Sequence, residues 1–425
     1  MITEFDPPGA GPDRVRLYGV HTTPDGYALR DFLSRNTVAF EWVDLSHDDQ
    51  ARRDAGVDGL DDPRLPVCVL ADGTRIEHAT VQAVAEHLDL ITGPRAREYD
   101  LSIYGAGPAG LSAAVAAASE GLRTVVVERE AVGGQAGASS LIENFPGFPG
   151  GISGADLAER ARRQAASFGA EILLVREGVE AEFHDGRIDV RLADGGRVRS
   201  RTSLCATGVE YRRLGLEGEE RYLGAGLYYG AALSEAALCA DEHVFVVGGG
   251  NSAGQAARHL AGYAAHVTLL VRGERPAASM SEYLLSRLRA TPNITIATRR
   301  QVVGLAGADC LERIVVRDLT TGRERTERTG RVFVLIGGQP HTEWARDTGI
   351  IRDPGGYLVT GPDLLEAGRP PAVWDLDRDP FYLETSVPGS FAAGDVRHGS
   401  VKRVASAVGE GSMAVQFVHR HLESL

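Results

Sequence analysis

The chain has 425 residues, 43% hydrophobic and 24% charged, with 45 Lys and Arg against 58 Asp and Glu and a formal net charge of −13. This length provides for roughly two to four domains, and the composition excludes a disordered, collagenous or disulfide-dense chain. The acidic balance excludes a nucleic-acid backbone or an anionic membrane as the main partner.

Residues 1–13 are rich in Pro, Gly and Asp and read as a flexible arm. The opening Met1-Ile2-Thr3-Glu4-Phe5-Asp6 lacks the basic and apolar regions of a signal peptide. A compact pattern follows over residues 14–93: strand Val15–Tyr18, helix Tyr27–Asn36 and strand Phe40–Asp44. After these come a Pro-flanked strand Pro66–Leu70, a turn at Asp72-Gly73 and a helix near Val81–Leu90. This order resembles a glutaredoxin or thioredoxin fold. Such folds place a dithiol at the first strand–helix junction, facing a cis-proline. Here Thr23-Pro24-Asp25-Gly26 occupies the dithiol position, and Leu65-Pro66-Val67 matches the cis-proline turn. Both cysteines are absent, so the resemblance is to the scaffold and not to the chemistry.

The linker Thr92-Gly93-Pro94 leads to strand Asp100–Tyr104, the turn Gly105-Ala106-Gly107-Pro108-Ala109-Gly110, helix Leu111–Glu120 and a strand ending at Glu128. A GxGxxG turn between strand and helix, with an acid about 20 residues on, is a dinucleotide-binding pattern. Gly105 makes the tight turn, Gly107 lets backbone amides reach a pyrophosphate, and Gly110 packs helix on strand. Glu128 is then expected on the ribose hydroxyls.

A second such unit runs from strand His243–Val247 through Gly248-Gly249-Gly250-Asn251-Ser252-Ala253 into a helix reaching about Gly262, then strand Val267–Val271. Where an NAD site places an acid, this chain has Arg272, with Arg275 beyond it and Glu274 between them. A guanidinium pairs with a 2′-phosphate, so NADPH is favoured and NADH stays open. Near the end, Phe391-Ala392-Ala393-Gly394-Asp395 closes a strand in a Gly-Asp corner, and a helix starts near Arg403. Asp395 suits ribitol hydroxyls, and the helix start suits negative charge collecting on a reduced flavin.

In sequence, GAGPAG, Gly133-Gly134-Gln135, Glu143-Asn144-Phe145-Pro146-Gly147, Ala206-Thr207-Gly208, GGGNSA, Ile336-Gly337 and AAGD occur in one order. That order resembles the low-molecular-weight thioredoxin reductases from residue 97 to the end. The resemblance implies an α/β chain: two Rossmann-like three-layer dinucleotide-binding domains, preceded here by the thioredoxin-fold domain. It implies a discontinuous FAD-binding domain, 97–215 and 340–425, with an NAD(P)H-binding domain inserted over 216–339. FAD is expected at Gly105, Gly107, Pro108, Ala109, Gly110, Glu128, Arg129, Gly134, Gln135, Asn144, Ala206, Thr207, Gly208, Gly394, Asp395, Arg403, Val404 and Ala405. NADPH is expected at Gly249, Gly250, Asn251, Ser252, Ala253 and Arg272, and Gly337 is a further cofactor-binding candidate. The family also implies a homodimer, and a rotation of the inserted domain that brings nicotinamide to the flavin.

The family's redox motif Tyr-Cys-Ala-Thr-Cys-Asp reads here Tyr229-Gly230-Ala231-Ala232-Leu233-Ser234, so Gly230 and Leu233 replace both thiols. The four cysteines, Cys68, Cys205, Cys239 and Cys310, form no CxxC and no zinc spacing. Without a thiolate there is no disulfide exchange, and no dithiol is left to act as a catalytic pair. The sequence therefore points to a cytoplasmic FAD-dependent NAD(P)H oxidoreductase with an unidentified, non-disulfide acceptor, no metal and no membrane partner. A redox-sensing flavoprotein, a ferredoxin–NADP reductase-like carrier and a dithiol borrowed from a partner remain alternatives. Tyr228, Tyr229, His398 and the Trp374–Tyr382 insertion are further candidates for contacts near the flavin or with a partner.

Overall fold

The computed structural model describes residues 2–5, 14–46, 48–91, 93–139, 141–184, 186–230, 233–276 and 280–425. Contacts divide the chain into two compact units: Met1–Val84, Ala138–Leu141 and Tyr211–Gly337 form the first, and Ala85–Gly137, Ile142–Glu210 and Gly338–Leu425 the second.

The N-terminal part of the first unit holds strands β1 (Ile2–Phe5), β2 (Val15–Gly19), β3 (Phe40–Asp44), β4 (Val67–Val69) and β5 (Arg75–Ile76) with helices α1 (Pro24–Arg35), α2 (Asp49–Asp54) and α3 (Val81–His87). The sheet order is β1-β3-β2-β4-β5; β2 and β3 run parallel and the other pairs antiparallel. Ile2–Phe5 is thus a paired edge strand where the composition suggested a loose arm, while residues 1 and 6–13 of that arm lie outside the described residues. Helix α1 starts three residues before the expected Tyr27, because the Thr23 hydroxyl caps it by accepting from Gly26 N and Pro24 occupies its first turn. Leu29, Phe32 and Leu33 of α1 are buried, as are Leu17 and Trp42 of the sheet. The Leu65–Pro66 peptide is cis.

The second unit opens with β6 (Tyr99–Tyr104), α4 (Pro108–Ser119), β7 (Thr124–Glu128), α5 (Gly134–Gly137), α6 (Gly154–Ser167), β8 (Glu171–Leu174), β9 (Gly178–His184), β10 (Arg187–Leu192) and β11 (Arg197–Cys205). The two-residue strand β12 (Glu210–Tyr211) follows.

The first unit then resumes with β13 (Leu227–Tyr229), β14 (His243–Val247), α7 (Asn251–Leu260), β15 (His266–Val271), α8 (Glu282–Ala290) and β16 (Ile294–Thr298). Next come β17 (Arg300–Ala306), β18 (Arg313–Asp318), β19 (Glu324–Arg328) and β20 (Val332–Val334). A parallel sheet of order β13-β20-β14-β15-β16 carries the second nucleotide motif, and β17-β18-β19 form a separate antiparallel sheet. The buried faces of these strands, Val244, Val246, Leu269 and Phe333 among them, are apolar on both sides, as parallel strands covered on both faces require.

The second unit closes with β21 (Gly338–Gln339), β22 (Ser390–Ala392) and the 20-residue helix α9 (Val404–Glu423). Its sheet runs β8-β7-β6-β11-β10-β9, with β22 also paired to β11. Strands β6, β7, β8, β11 and β22 are parallel, and β9 and β10 add an antiparallel edge. Helix α9 is one continuous element that starts at Val404, beside Arg403 where the sequence placed its beginning. Glycine at 411 permits this: a Cβ there would lie 2.0 Å from the Ala109 carbonyl oxygen, so α9 and α4 touch backbone to backbone. Among the described residues no helix is long and apolar enough to cross a membrane.

Candidate cofactor sites

In the second unit three loops converge on the start of α4. Gly105 has φ +101°, and a Cβ there would lie 2.5 Å from the Ala206 carbonyl oxygen. At Gly110 a Cβ would lie 1.9 Å from the Gly105 carbonyl oxygen. Gly107, between them, would meet nothing within 4 Å. Two glycines therefore serve the protein's own packing, and the third leaves open space in front of the helix. The Gly133–Gln135 loop is tied to this turn, since Gly133 N donates to Ala106 O and Gln135 Nε2 donates to Val209 O.

Buried Glu128 ends β7 and accepts from Ala106 N (2.7 Å) and Glu130 N (2.8 Å). Arg129 is instead held by carboxylates, at 2.8 Å from Glu210 and 3.1 Å from Glu130, which push its pKa up against the cost of burial. Thr207 and Asn144 are exposed, Asn144 on the turn closed by the Ile142–Ile152 bridge, and Gly208 takes φ +66°.

The Gly-Asp corner reaches the same helix from the other end of the sequence. Gly394 packs so that a Cβ would lie 3.0 Å from the Ala109 Cβ, and its amide donates to Glu410 Oε2 of α9. Burial pushes the Asp395 carboxyl above its ordinary value, an effect only partly offset by Lys402. Among the described residues its carboxylate takes no hydrogen bond; Lys402 Nζ donates to the Asp395 carbonyl oxygen instead. Arg397 and Glu410, to which no sequence motif points, brace this corner through a 2.6 Å ion pair.

The helix starts separate into two kinds. Helices α1, α2, α6 and α8 carry the side-chain caps Thr23, Asp48, Ser153 and Ser281. Helices α4, α7 and α9 start at Gly107, Gly250 and Arg403 without a side-chain cap bond. All three uncapped starts belong to nucleotide motifs, and their amides are left for an anion or polar ligand.

In the first unit, Gly248 turns at φ +151° with its would-be Cβ 2.3 Å from the Leu335 carbonyl oxygen. Asn251 accepts from Ser281 N, Ala253 is buried, and Ser252 is exposed at the helix start. Arg272 is exposed at the end of β15. Glu274, which would oppose a phosphate there, is paired with Arg299, a partner sequence order did not reveal. Gly337 has φ +94° and accepts from Arg212 N.

The other candidates have structural roles. Tyr228 is buried between Tyr27 and Phe333, and the Tyr229 hydroxyl accepts from Leu214 N. His398 bonds Asp353 at 2.7 Å, and Trp374 Nε1 donates to Arg378 O within the insertion. Gly230 takes φ +97° against the Tyr211 ring; residues 231 and 232 of the replaced motif lie outside the described residues.

All four cysteines are free, and Cys68, Cys205 and Cys239 are buried. Burial pushes Cys68 and Cys239 up to about 12 and raises Cys205 and Cys310. A thiol with a pKa near 12 is about 10⁻⁴ ionised at pH 8, so Cys239 is no substitute for the missing pair.

The model of the pyridine nucleotide-disulphide oxidoreductases matches residues 99–411. The chain belongs to this family. Within it the relatives are thioredoxin-reductase-like. A 34.2 kDa protein of the rubredoxin operon of Clostridium pasteurianum is 33% identical over 77% of this chain and 98% of its own length. The thioredoxin reductase of Treponema pallidum is 31% identical, over 77% and 98%. Among solved structures, Lactococcus lactis thioredoxin reductase aligns with TM-score 0.68 at 28% identity, over 77% of this chain and 100% of its own. The T. acidophilum enzyme aligns with TM-score 0.67 at 30% identity, over 77% and 99%. The family match establishes the expected α/β fold with Rossmann-like parallel sheets and an oxidoreductase class whose members generally use FAD and NADPH.

Proposed function

We propose that this family member is an FAD-dependent NAD(P)H oxidoreductase that reduces an acceptor other than a disulfide. The observation carrying the proposal is that α4, α7 and α9 all begin without a side-chain cap bond, while the four cysteines are free and none stands at a position of the replaced motif. The residues present fit both cofactors. The amides of Gly107, Ala109 and Gly110 hold a pyrophosphate, Glu128 accepts from ribose hydroxyls, and Asp395 accepts from ribitol. The start of α9 supplies positive partial charge through Val404 and Ala405. On the other unit, the α7 start holds the second pyrophosphate and Arg272 pairs with a 2′-phosphate. Bound FAD would supply the hydride-accepting and electron-donating chemistry that no side chain here can.

The N-terminal module is a thioredoxin-fold domain in this reading, supported by its strand order. A homodimer belongs to the proposal on family resemblance alone. Steady-state NADPH oxidation tests it. Turnover above about 1 s⁻¹ is expected with a quinone or ferricyanide, and background rates with oxidised thioredoxin or an aromatic disulfide. Comparable disulfide reduction, lost on Cys239→Ser, would overturn the reading.

A further inference from the structure

In the first unit, β15 and β16 run parallel in a register that sets Val271 opposite Thr298. Arg272 and Arg299, the residues that follow, therefore stand side by side at the carboxyl ends of the two strands. In an open α/β sheet that is the edge where ligands bind. On its other side β15 neighbours β14, which feeds the glycine turn before α7. The glycine turn, Arg272 and Arg299 thus follow one another along a single edge.

Backbone geometry fixes Arg299 there. It takes φ +53°, a left-handed conformation uncommon outside glycine. Its amide donates to Gly273 O at 2.9 Å, and its carbonyl accepts from Leu319 N at 2.9 Å. Its Nη2 donates to Glu274 Oε1. One residue therefore holds the turn after β15 twice, by the Gly273 carbonyl and by the Glu274 carboxylate. Arg300, next in the chain, is engaged elsewhere, at 3.0 Å from Asp318.

The turn carries two opposed groups. Arg272 suits a 2′-phosphate, whereas a carboxylate past the end of this strand suits the 2′-hydroxyl of NADH. At 44% and 77% exposure, the Arg299–Glu274 pair adds little to stability, so its effect lies in the charge it masks. We propose that Arg299 sets the nucleotide preference by holding and neutralising Glu274. With Glu274 held, the edge offers Arg272 to a 2′-phosphate. With Glu274 released, its carboxylate repels that phosphate and accepts from a 2′-hydroxyl instead. Arg299 is in this sense a positioning residue that acts through Glu274. The inference deepens the NAD(P)H reading and rests on it.

Equilibrium binding of NADP⁺ and of NAD⁺ to the full-length protein at low salt tests the proposal without turnover. The readout is the ratio of the Kd for NADP⁺ to that for NAD⁺. Arg299→Met is expected to raise the ratio about tenfold, the size of one uncovered charge near a phosphate in water. Glu274→Gln alone is expected to leave it at or below the wild-type value. Arg299→Met combined with Glu274→Gln removes both charges and is expected to return the ratio to within about twofold of wild type. A role confined to shaping the turn would weaken both nucleotides alike and would not be relieved by the second substitution. An unmoved ratio in Arg299→Met, or a raised one that Glu274→Gln does not bring down, overturns the proposal. Wild-type protein that binds neither nucleotide would sink the NAD(P)H reading itself, whereas binding with an unmoved ratio sinks only the part assigned to Arg299.

Discussion

Gly110→Ala is expected to yield a protein that no longer retains flavin, with affinity for added FAD reduced by at least about 100-fold. A methyl at 110 would lie 1.9 Å from the Gly105 carbonyl oxygen. Helix α4 must then move away from the turn that aims its amides, and the open space before Gly107 loses its shape. The absorbance ratio of flavin to protein after gel filtration reads the effect. Gly121→Ala is the control: it also has positive φ, +88°, but a Cβ there would meet nothing within 4 Å. It should cost about 1 kcal/mol of stability and leave the flavin content unchanged. Equal flavin content in the two variants would show that close packing at 110 does not shape the site.

Arg272→Glu is expected to raise the Michaelis constant for NADPH about 100-fold while leaving that for NADH within about twofold. The substitution removes a charge-assisted pair with the 2′-phosphate and adds a repulsion. NADH carries no charge at that position. The effect should shrink as salt is added, because Arg272 is exposed and its field is screened. Glu274 does not blunt the prediction, since Arg299 already holds it. Parallel changes for both nucleotides would place Arg272 outside the phosphate site.

The sequence was most informative where backbone geometry admits one residue type. Gly105, Gly110 and Gly394 each adopt positive φ or meet another backbone too closely for a Cβ, so their spacing alone announces strand–turn–helix units. Buried parallel strands such as Thr124–Glu128 and His243–Val247 were equally legible as short runs rich in valine. What stayed hidden was pairing across distance. Nothing local to Arg30 points to Glu235, and nothing near Glu274 points to Arg299. The edge strand Ile2–Phe5 was hidden by the Pro- and Gly-rich residues after it; its structure comes from pairing with Phe40–Val43 rather than from its own propensity. The absence of side-chain caps on α4, α7 and α9 was visible in principle, as Gly107, Gly250 and Arg403 stand where Ser, Thr or Asp begin α1, α2, α6 and α8.

If electrons from a nicotinamide stop at a flavin with no dithiol beyond it, an anaerobic titration with NADPH lowers flavin absorbance linearly to a fully reduced end point at about one NADPH per flavin, because the site holds only the two electrons of one hydride. An end point near two equivalents would instead reveal a second two-electron acceptor in exchange with the flavin, as a working dithiol would be.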